Sequence, residues 1–192
     1  MVCLHEEVYK PSDDTYIMLE YIESNPRFRG SFVIEIGCGS GILTAALVRA
    51  GAREVVAVDV NDLACECTVC TLTSNFGEKP VNTHVIRGDL TSPLRRGVRV
   101  DYIVFNPPYL PCTPKDRQSL AWCGGEDGVE VVCRLVDELL KYNISFGKLI
   151  LILSSRSNIN RVLERLKGLF NVKFSVKARF FFEQLILVEV SR

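Results

Sequence analysis

The chain has 192 residues, of which 47% are hydrophobic and 24% are charged. This composition is typical of a globular protein with its own core, and it excludes long disordered, collagen-like and coiled-coil structures. Lysine plus arginine equals aspartate plus glutamate, 23 of each, so the chain lacks the basic excess of most nucleic-acid-binding proteins. The charge balance therefore argues against nucleic acid as a partner without excluding it.

The cysteines and the N-terminal residues bear on where the protein works. The sequence has no apolar run of about 18 residues, and its first residues lack the basic and apolar regions of a signal peptide. We therefore expect a soluble protein with no membrane partner, located in the cytoplasm or else the nucleus, whose eight cysteines remain thiols. Cys65, Cys67 and Cys70 form a C-x-C-x-x-C cluster, but no second pair and no suitably spaced histidine accompany it, so no metal is predicted.

Strand-like and helical patterns alternate along the chain, which predicts a doubly wound α/β sheet. Strand-like runs cover 31–37, 54–60, 81–89, 99–106 and 147–155, and helical patterns cover 41–51, 62–76, 128–143 and 158–170. The last helical pattern has these residues on one face: Ile159, Val162, Leu163, Leu166 and Leu169.

Two further strand-like runs, 172–182 and 184–190, follow with no helix between them. A short connection requires the two strands to pair antiparallel. We therefore predict one domain over residues 1–192, with a mostly parallel, seven-stranded Rossmann-like sheet that ends in an antiparallel hairpin.

A glycine-rich loop follows the first strand, where Glu35 precedes Gly37, Gly39 and Gly41 and a helical pattern begins at once. Glycines at such a strand end allow a sharp turn and the close approach of a ligand. Ile42 stands where the dinucleotide-binding fingerprint has Gly or Ala, so a nicotinamide or flavin cofactor fits less well.

Acidic residues are expected at the ends of the first three strands. Asp59 ends the second strand, 22 residues after Gly37, where a carboxylate can accept both hydroxyl groups of a ribose. Asp89 ends the third strand in the same manner. Together with Glu35, these acids suit a cationic, ribose-bearing ligand better than a pyrophosphate, which they would repel.

The fourth strand ends in the sequence Asn106-Pro107-Pro108-Tyr109. Asn-Pro often begins a simple turn, which is the alternative interpretation. At the end of a central strand, however, the prolines stiffen the segment and leave the Asn106 side-chain oxygen and the Pro107 carbonyl as fixed acceptors. These two acceptors can receive both hydrogens of one planar amino group.

In combination, these motifs resemble the class I S-adenosylmethionine-dependent methyltransferases that modify planar amino groups. Two further segments, Tyr9-Lys-Pro11-Ser-Asp-Asp14-Thr15 and Ala121-Trp122-Cys-Gly124-Gly125-Glu-Asp-Gly128, are similar to the short eukaryotic and archaeal branch of the HemK-type protein glutamine methyltransferases. Bacterial HemK-type enzymes carry a separate N-terminal helical domain, whereas few residues precede the first strand here.

The resemblance implies a role for each motif at the cofactor, S-adenosylmethionine. Glu35 and the loop Gly37–Gly41 would surround its methionine half, Asp59 would hold its ribose, and Asp89 with Leu90 its adenine. Four residues of the N-terminal segment 1–30 would close over the cofactor near its sulfonium: Tyr9, Pro11, Asp14 and Thr15.

The resemblance also implies an acceptor site. Asn106 and Pro107 would hold the acceptor amide, with Tyr109 packing against it and Pro108 beside it. Trp122 lies in the loop that would flank the substrate entrance, and buried packing is its alternative role.

The branch that the chain resembles methylates the glutamine side-chain amide in the Gly-Gly-Gln motif of the class 1 peptide-chain release factor. Three other functions stay open: an adenine-N6 methyltransferase acting on DNA or RNA, a protein lysine methyltransferase, and a cofactor-binding scaffold without activity. The neutral charge weighs against the first of these, and the absence of an evident base against the second.

A partner protein is also implied. Enzymes similar to this branch are solubilised and activated by a small zinc-binding protein that adds a strand to the sheet. The sequence fits such a heterodimer, because the helix 63–76 has Glu66 as its one charged residue and precedes a strand expected at the sheet edge.

Overall fold

A computed structural model describes residues 1–191 of the chain. From the first strand onward the helices and strands follow the predicted order, whereas the helix that precedes it, α1, was not predicted. The bounds are α1 Asp13–Ser24, β1 Phe32–Ile36, α2 Ile42–Arg49, β2 Glu54–Asp59, α3 Asp62–Phe76, β3 Thr83–Arg87, β4 Arg99–Phe105, α4 Glu130–Lys141, β5 Ser145–Ser154, α5 Ile159–Lys167, β6 Asn171–Arg179 and β7 Gln184–Ser191. None of the helices in this described part combines the length and apolar character that a bilayer crossing requires.

The seven strands form one sheet in the order β3-β2-β1-β4-β5-β7-β6. Strands β1 to β5 pair in parallel, and β7 lies antiparallel between β5 and β6. The prediction of a mostly parallel Rossmann-like sheet with a terminal antiparallel hairpin is therefore confirmed.

Apolar side chains on both faces of the sheet explain why the central strands are continuous hydrophobic runs. In β1, Ile34 faces a core formed with α4 and α5, whereas Val33 faces a second core formed with α1 and α2. In β4, Ile103 faces the first of these cores and Val104 faces the second. Helices therefore cover both faces.

The order of the strands places a crevice at one end of the sheet. From β1 the chain winds outward through β2 to β3, and it then returns to β4 on the other side of β1. The connections that follow β1 and β4 therefore run in opposite directions, and a crevice lies between the carboxyl ends of these two strands. Doubly wound folds bind ligands at this position. The glycine loop and Asn106 both lie at this end.

Several predicted boundaries are wrong by two or three residues. Strand β6 ends at Arg179, so residues 180–182 lie in a turn instead of continuing the predicted strand. Strand β3 ends at Arg87, so Asp89 lies in the turn after the strand instead of closing it. Helix α5 ends at Lys167, next to Gly168, and Leu169 is 54% exposed instead of lying on the buried face. Glycine costs about 1 kcal/mol in a helix interior, which favours the earlier end.

The prediction that every cysteine remains a thiol is wrong for four of them. Disulfides join Cys3 to Cys70 and Cys112 to Cys123, with Cα separations of 5.9 and 4.9 Å. The first forms because the N-terminal segment lies along α3, where the Cys3 N–H donates to Thr71 Oγ1 at 2.9 Å. Within residues 1–191, no group of three or more His, Cys, Asp or Glu residues is arranged to hold a metal.

Candidate active site

The glycine loop joins β1 to α2 through a backbone that other residues rarely adopt. Gly37, Gly39 and Gly41 have φ values of +72°, +53° and +77°. At Gly41, a Cβ atom would lie 2.6 Å from the Cα of Thr68, so glycine is also required for the close approach of α3. The loop is thus fixed by its glycines against a neighbouring helix.

The carboxylate of Asp59 connects this loop to the end of β2. Its Oδ2 accepts the Gly39 N–H at 2.9 Å, and its Oδ1 accepts the Asn61 N–H at 2.9 Å. Burial raises the pKa of Asp59, and these backbone N–H groups partly oppose that rise. Asp59 is therefore held in place without an ion pair, with lone pairs left for a ligand.

The larger of two neighbouring cavities, about 360 Å³, occupies the crevice beyond β1, β2 and β4. A volume of this size lies within the ~300–1,000 Å³ range of small-molecule sites. Six of the predicted site residues line it: Gly37, Asp59, Asp89, Leu90, Asn106 and Pro108.

Leu90 and Asp89 reach the larger cavity from the turn after β3. Leu90 is buried and has a φ of +47°, a backbone that a branched side chain adopts only under constraint. Asp89 is exposed and forms an ion pair with Arg134 of α4. Both residues therefore line the larger cavity.

Glu35 lies beneath the glycine loop and lines neither cavity. It is 1% exposed, and the hydroxyl of Thr44 donates to its Oε2, whereas its Oε1 has no hydrogen-bond partner. Burial raises the pKa of Glu35 from 4.5 to about 8. At neutral pH the side chain is therefore mainly protonated.

Asn106 lies where β4 ends, and its side chain is held by the N-terminal segment. Its Nδ2 donates to Asp14 Oδ2 at 3.1 Å and to Thr15 Oγ1 at 3.5 Å. Because Nδ2 is bound to these two residues, Oδ1 lies on the other side of the amide. This oxygen is buried and has no partner within residues 1–191. A buried acceptor left unpaired costs about 1–3 kcal/mol, so a hydrogen bond from a ligand to this oxygen would be favourable.

Asp14 joins Asn106 to two tyrosines. The hydroxyl of Tyr9 donates to both carboxylate oxygens at 3.2 Å, and that of Tyr109 donates to Oδ2 at 3.1 Å. Burial and the negative charge of Asp14 raise the pKa of both tyrosines. Both phenols therefore stay protonated as donors.

The smaller cavity, about 220 Å³, adjoins the larger one. The predicted site residues that line it are Tyr9, Asp14, Asn106, Pro107, Pro108, Tyr109 and Trp122. Asn106, Pro108 and Ala121 line both cavities. The Asn-Pro-Pro-Tyr segment is thus the wall between the two spaces.

The predicted site residues divide into two groups. Eleven of the sixteen line at least one cavity, and five line neither: Glu35, Pro11, Thr15, Gly39 and Gly41. Pro11 precedes Ser12, the N-cap of α1, and Thr15 reaches the site through its hydrogen bonds to Asp14 and Asn106.

Five charged residues that line the two cavities were not predicted. Arg156 and Glu183 line the smaller cavity, and Arg117, Glu130 and Arg134 line the larger one. Glu183 follows three consecutive phenylalanines in a hairpin turn, and this unusual run was the available signal.

Comparisons with known proteins identify the family of this chain. The family model described as the methyltransferase small domain matches residues 10–179. "Putative protein N5-glutamine methyltransferase MJ0928" of Methanocaldococcus jannaschii is 30% identical over 98% of this chain and 94% of its own length. Human "Methyltransferase HEMK2" is 32% identical over 84% of this chain and 78% of its own length.

A solved structure is similar over nearly the whole chain. It is the E. cuniculi Mtq2–Trm112 complex, described as responsible for the methylation of the eRF1 translation termination factor. The matched chain is 25% identical with a TM-score of 0.72, over 97% of this chain and 99% of that one.

The sheet, its crevice and the family match define an enzyme of the methyltransferase class. The chain belongs to the methyltransferase small-domain family. Within that family its relatives are the HemK2 and Mtq2 proteins, which confirms the resemblance predicted from the sequence.

Proposed function

We propose that this chain transfers a methyl group from S-adenosylmethionine to the side-chain amide nitrogen of the glutamine in the Gly-Gly-Gln motif of a class 1 peptide-chain release factor. The observation that carries the proposal is that Asn106, whose buried Oδ1 has no partner among the described residues, lines both cavities. One cavity would take the cofactor, and the other would take the acceptor side chain.

The residues of the larger cavity fit the cofactor. The carboxylate of Asp59 suits the ribose hydroxyls, Gly37 leaves room for a close approach, and Leu90 provides an apolar surface for the adenine. Asp89 lies beside Leu90 and suits the adenine amino group. The N-terminal segment 1–30 supplies Tyr9 and Asp14 to the smaller cavity, and Asp14 binds Asn106, which lines both cavities. We therefore assign this segment a capping role within one methyltransferase domain, 1–192.

The residues of the smaller cavity fit a planar amide. Asn106 Oδ1 and the Pro107 carbonyl would each accept one N–H of the acceptor, while Tyr109 and Trp122 enclose it. Asp14 already accepts bonds from Tyr9, Tyr109 and Asn106, so its role is to hold these groups in position.

This arrangement addresses the main difficulty of the reaction. An amide nitrogen is a poor nucleophile because its lone pair is delocalised into the carbonyl. When bound, S-adenosylmethionine supplies a methyl group activated by a positively charged sulfur. By accepting both N–H groups, Asn106 and Pro107 would increase the electron density on the nitrogen and direct it toward the larger cavity.

We further propose that the substrate and the partner are those of the relatives. The S. pombe relative "eRF1 methyltransferase catalytic subunit mtq2" is 25% identical over 97% of this chain, and the solved complex pairs Mtq2 with Trm112. A small zinc-binding activator of that kind would bind at β3, which lies at the sheet edge next to α3. The cytoplasm, where translation ends, is then the place of action.

A label-transfer experiment tests the proposed function. The chain, with its small partner, is incubated with methyl-labelled cofactor and either a release factor, its Gly-Gly-Ala variant or nucleic acid. We expect label on the release factor only, at the glutamine by mass spectrometry, and none on the Gly-Gly-Ala variant. Label on an adenine or a lysine would reject the proposal in favour of the corresponding alternative.

A further inference from the structure

The turn between β6 and β7 exposes three consecutive aromatic side chains. Phe180, Phe181 and Phe182 are 46%, 92% and 85% exposed. Single exposed apolar side chains are common, but a contiguous aromatic group in contact with water marks a contact surface. We call Phe180–Phe182 the aromatic turn.

The aromatic turn lies at the active-site end of the sheet. The register pairs Ser154, the last residue of β5, with Leu185 of β7, and Arg179 of β6 with Gln184. The turn between them therefore projects beyond the carboxyl end of β5. Glu183, whose Cα is about 3.8 Å from that of Phe182, lines the smaller cavity.

Hydrogen bonds hold the turn in place. The Phe180 N–H donates to the Glu183 carbonyl at 2.7 Å, and the hydroxyl of Ser154 donates to the Glu183 carboxylate at 2.5 Å. The Phe181 and Phe182 rings meet edge to face with centroids 4.7 Å apart. A surface that is already ordered loses little entropy when it binds.

We propose that the aromatic turn is the docking surface for the protein substrate, contacting apolar side chains outside its acceptor glutamine. This inference rests on the proposed function. The 220 Å³ cavity has room for a single side chain, so further affinity must come from contacts around its mouth. Aromatic residues are the usual anchors of protein interfaces.

The charges near the turn favour protein over nucleic acid as the occupant. Glu183 and Asp14 line the cavity beside the turn together with Arg156, and the exposed Arg179 precedes the turn, so positive and negative charges balance here. A phosphate backbone would therefore find no basic excess at this position. A protein segment with apolar side chains needs none.

Steady-state kinetics with whole release factor tests the inference. The double variant Phe181→Ser/Phe182→Ser should raise the KM for release factor by about tenfold or more, the effect of losing one strong interface contact. The kcat and the affinity for S-adenosylhomocysteine should stay within about twofold of the wild type. Phe174→Ser is the matched control, because Phe174 is 61% exposed on β6 but five residues before Arg179, the end of the strand, and its KM should not change.

The outcomes separate the two proposals. A wild type that methylates release factor together with a double variant of unchanged KM would overturn the docking surface alone. A wild type that labels no release factor would overturn the proposed function and this inference with it. Loss of RNA binding or of self-association in the double variant, with release-factor KM unchanged, would assign the turn to another occupant.

Discussion

Asp14 is the residue on which the geometry of the site depends. Its buried carboxylate accepts hydrogen bonds from Tyr9, Tyr109 and Asn106, which come from two distant parts of the chain. Because the amide nitrogen of Asn106 is bound there, its oxygen must point away. In the proposed reaction, the Asp14 carboxylate thus determines which atom of Asn106 is left for the acceptor.

Asn106→Ala should remove transfer and leave cofactor binding nearly unchanged. Removing one positioned polar group at a reacting centre typically costs ~10²–10³ in rate. The measurements are single-turnover labelling of release factor and calorimetry with S-adenosylhomocysteine. Asn160→Ala, an exposed position on α5, is the control, and a turnover of Asn106→Ala equal to that control would contradict the assigned role.

Asp59→Ala should weaken the binding of both S-adenosylmethionine and its demethylated product. Each charge-assisted hydrogen bond contributes about 1.5–3 kcal/mol, so losing one lowers the affinity about tenfold or more. Calorimetry checks this, with Asp137→Ala as a variant that removes an exposed carboxylate paired with Arg165. Equal affinities for the two variants would show that Asp59 does not hold the ribose.

Glu35 should make the folded state less stable as the pH rises. Its pKa is about 8 in the folded protein and 4.5 ordinarily, so the folded state keeps a proton that the unfolded state releases. The free energy of unfolding should therefore decrease from about pH 4.5 to about pH 8 and then level off. Urea titrations of wild type and Glu35→Gln at several pH values test this. If the free energy of unfolding has the same pH dependence in both proteins, a group other than Glu35 causes it.

The sequence predicted these residues to different degrees. Gly37, Asp59 and Asn106 were found because each belongs to a contiguous motif at a strand end. The bond between Asp14 and Asn106 was not found, since it joins residues 92 positions apart. It depends on how α1 packs against the sheet, which no local pattern encodes.

At the scale of elements, α3 and β3 form one side of the molecule. Strand β3 is an edge strand, and the neighbouring helix exposes Val69. The N-terminal segment crosses this helix and is joined to it by the Cys3–Cys70 disulfide. The free edge, and a helix face on which Glu66 is the charged residue beside Val69, suit a strand-adding partner.

Val69→Glu should prevent co-purification with the small activator. A charge at the centre of an apolar interface must lose its water, which costs far more than the contacts it replaces. Leu140→Glu is the control, because Leu140 is exposed to a similar degree but lies on α4, across the sheet. The heterodimer hypothesis fails if Val69→Glu and the control co-purify equally with the activator.

Element order and strand direction followed from hydrophobic periodicity, but the cysteine pairs did not. Cys3 and Cys70 are 67 residues apart and meet only after the N-terminal segment packs on α3. Cys112 and Cys123 meet through a bridge between Cys112 and Gly125 inside a long loop. Composition indicated a reducing compartment and could not reveal these contacts.

At the scale of the whole molecule, the two proposed contact surfaces lie at opposite edges. Strands β3 and β6 terminate the seven-stranded sheet, and six intervals of about 4.8 Å separate them by roughly 29 Å. The aromatic turn belongs to the β6 side, and the proposed partner surface belongs to the β3 side. Under these proposals, partner and substrate would occupy the enzyme at the same time.

We expect the activator to bind independently of the aromatic turn. The variant Phe181→Ser/Phe182→Ser should co-purify with the activator as the wild type does, because mutations at well-separated sites act additively. Size-exclusion chromatography of the co-expressed pair measures this. Loss of the activator from this variant would mean that the two surfaces are coupled or shared.

The common wall of the two cavities also bears on inhibitor design. Asn106, Pro108 and Ala121 contact both spaces, so a single molecule that links an adenosine group to a glutamine-like amide would cross this wall. Binding of its first half would hold the second half at millimolar effective concentration, as a short flexible linker does. Such a two-headed compound should discriminate this enzyme from methyltransferases that share only the adenosine pocket.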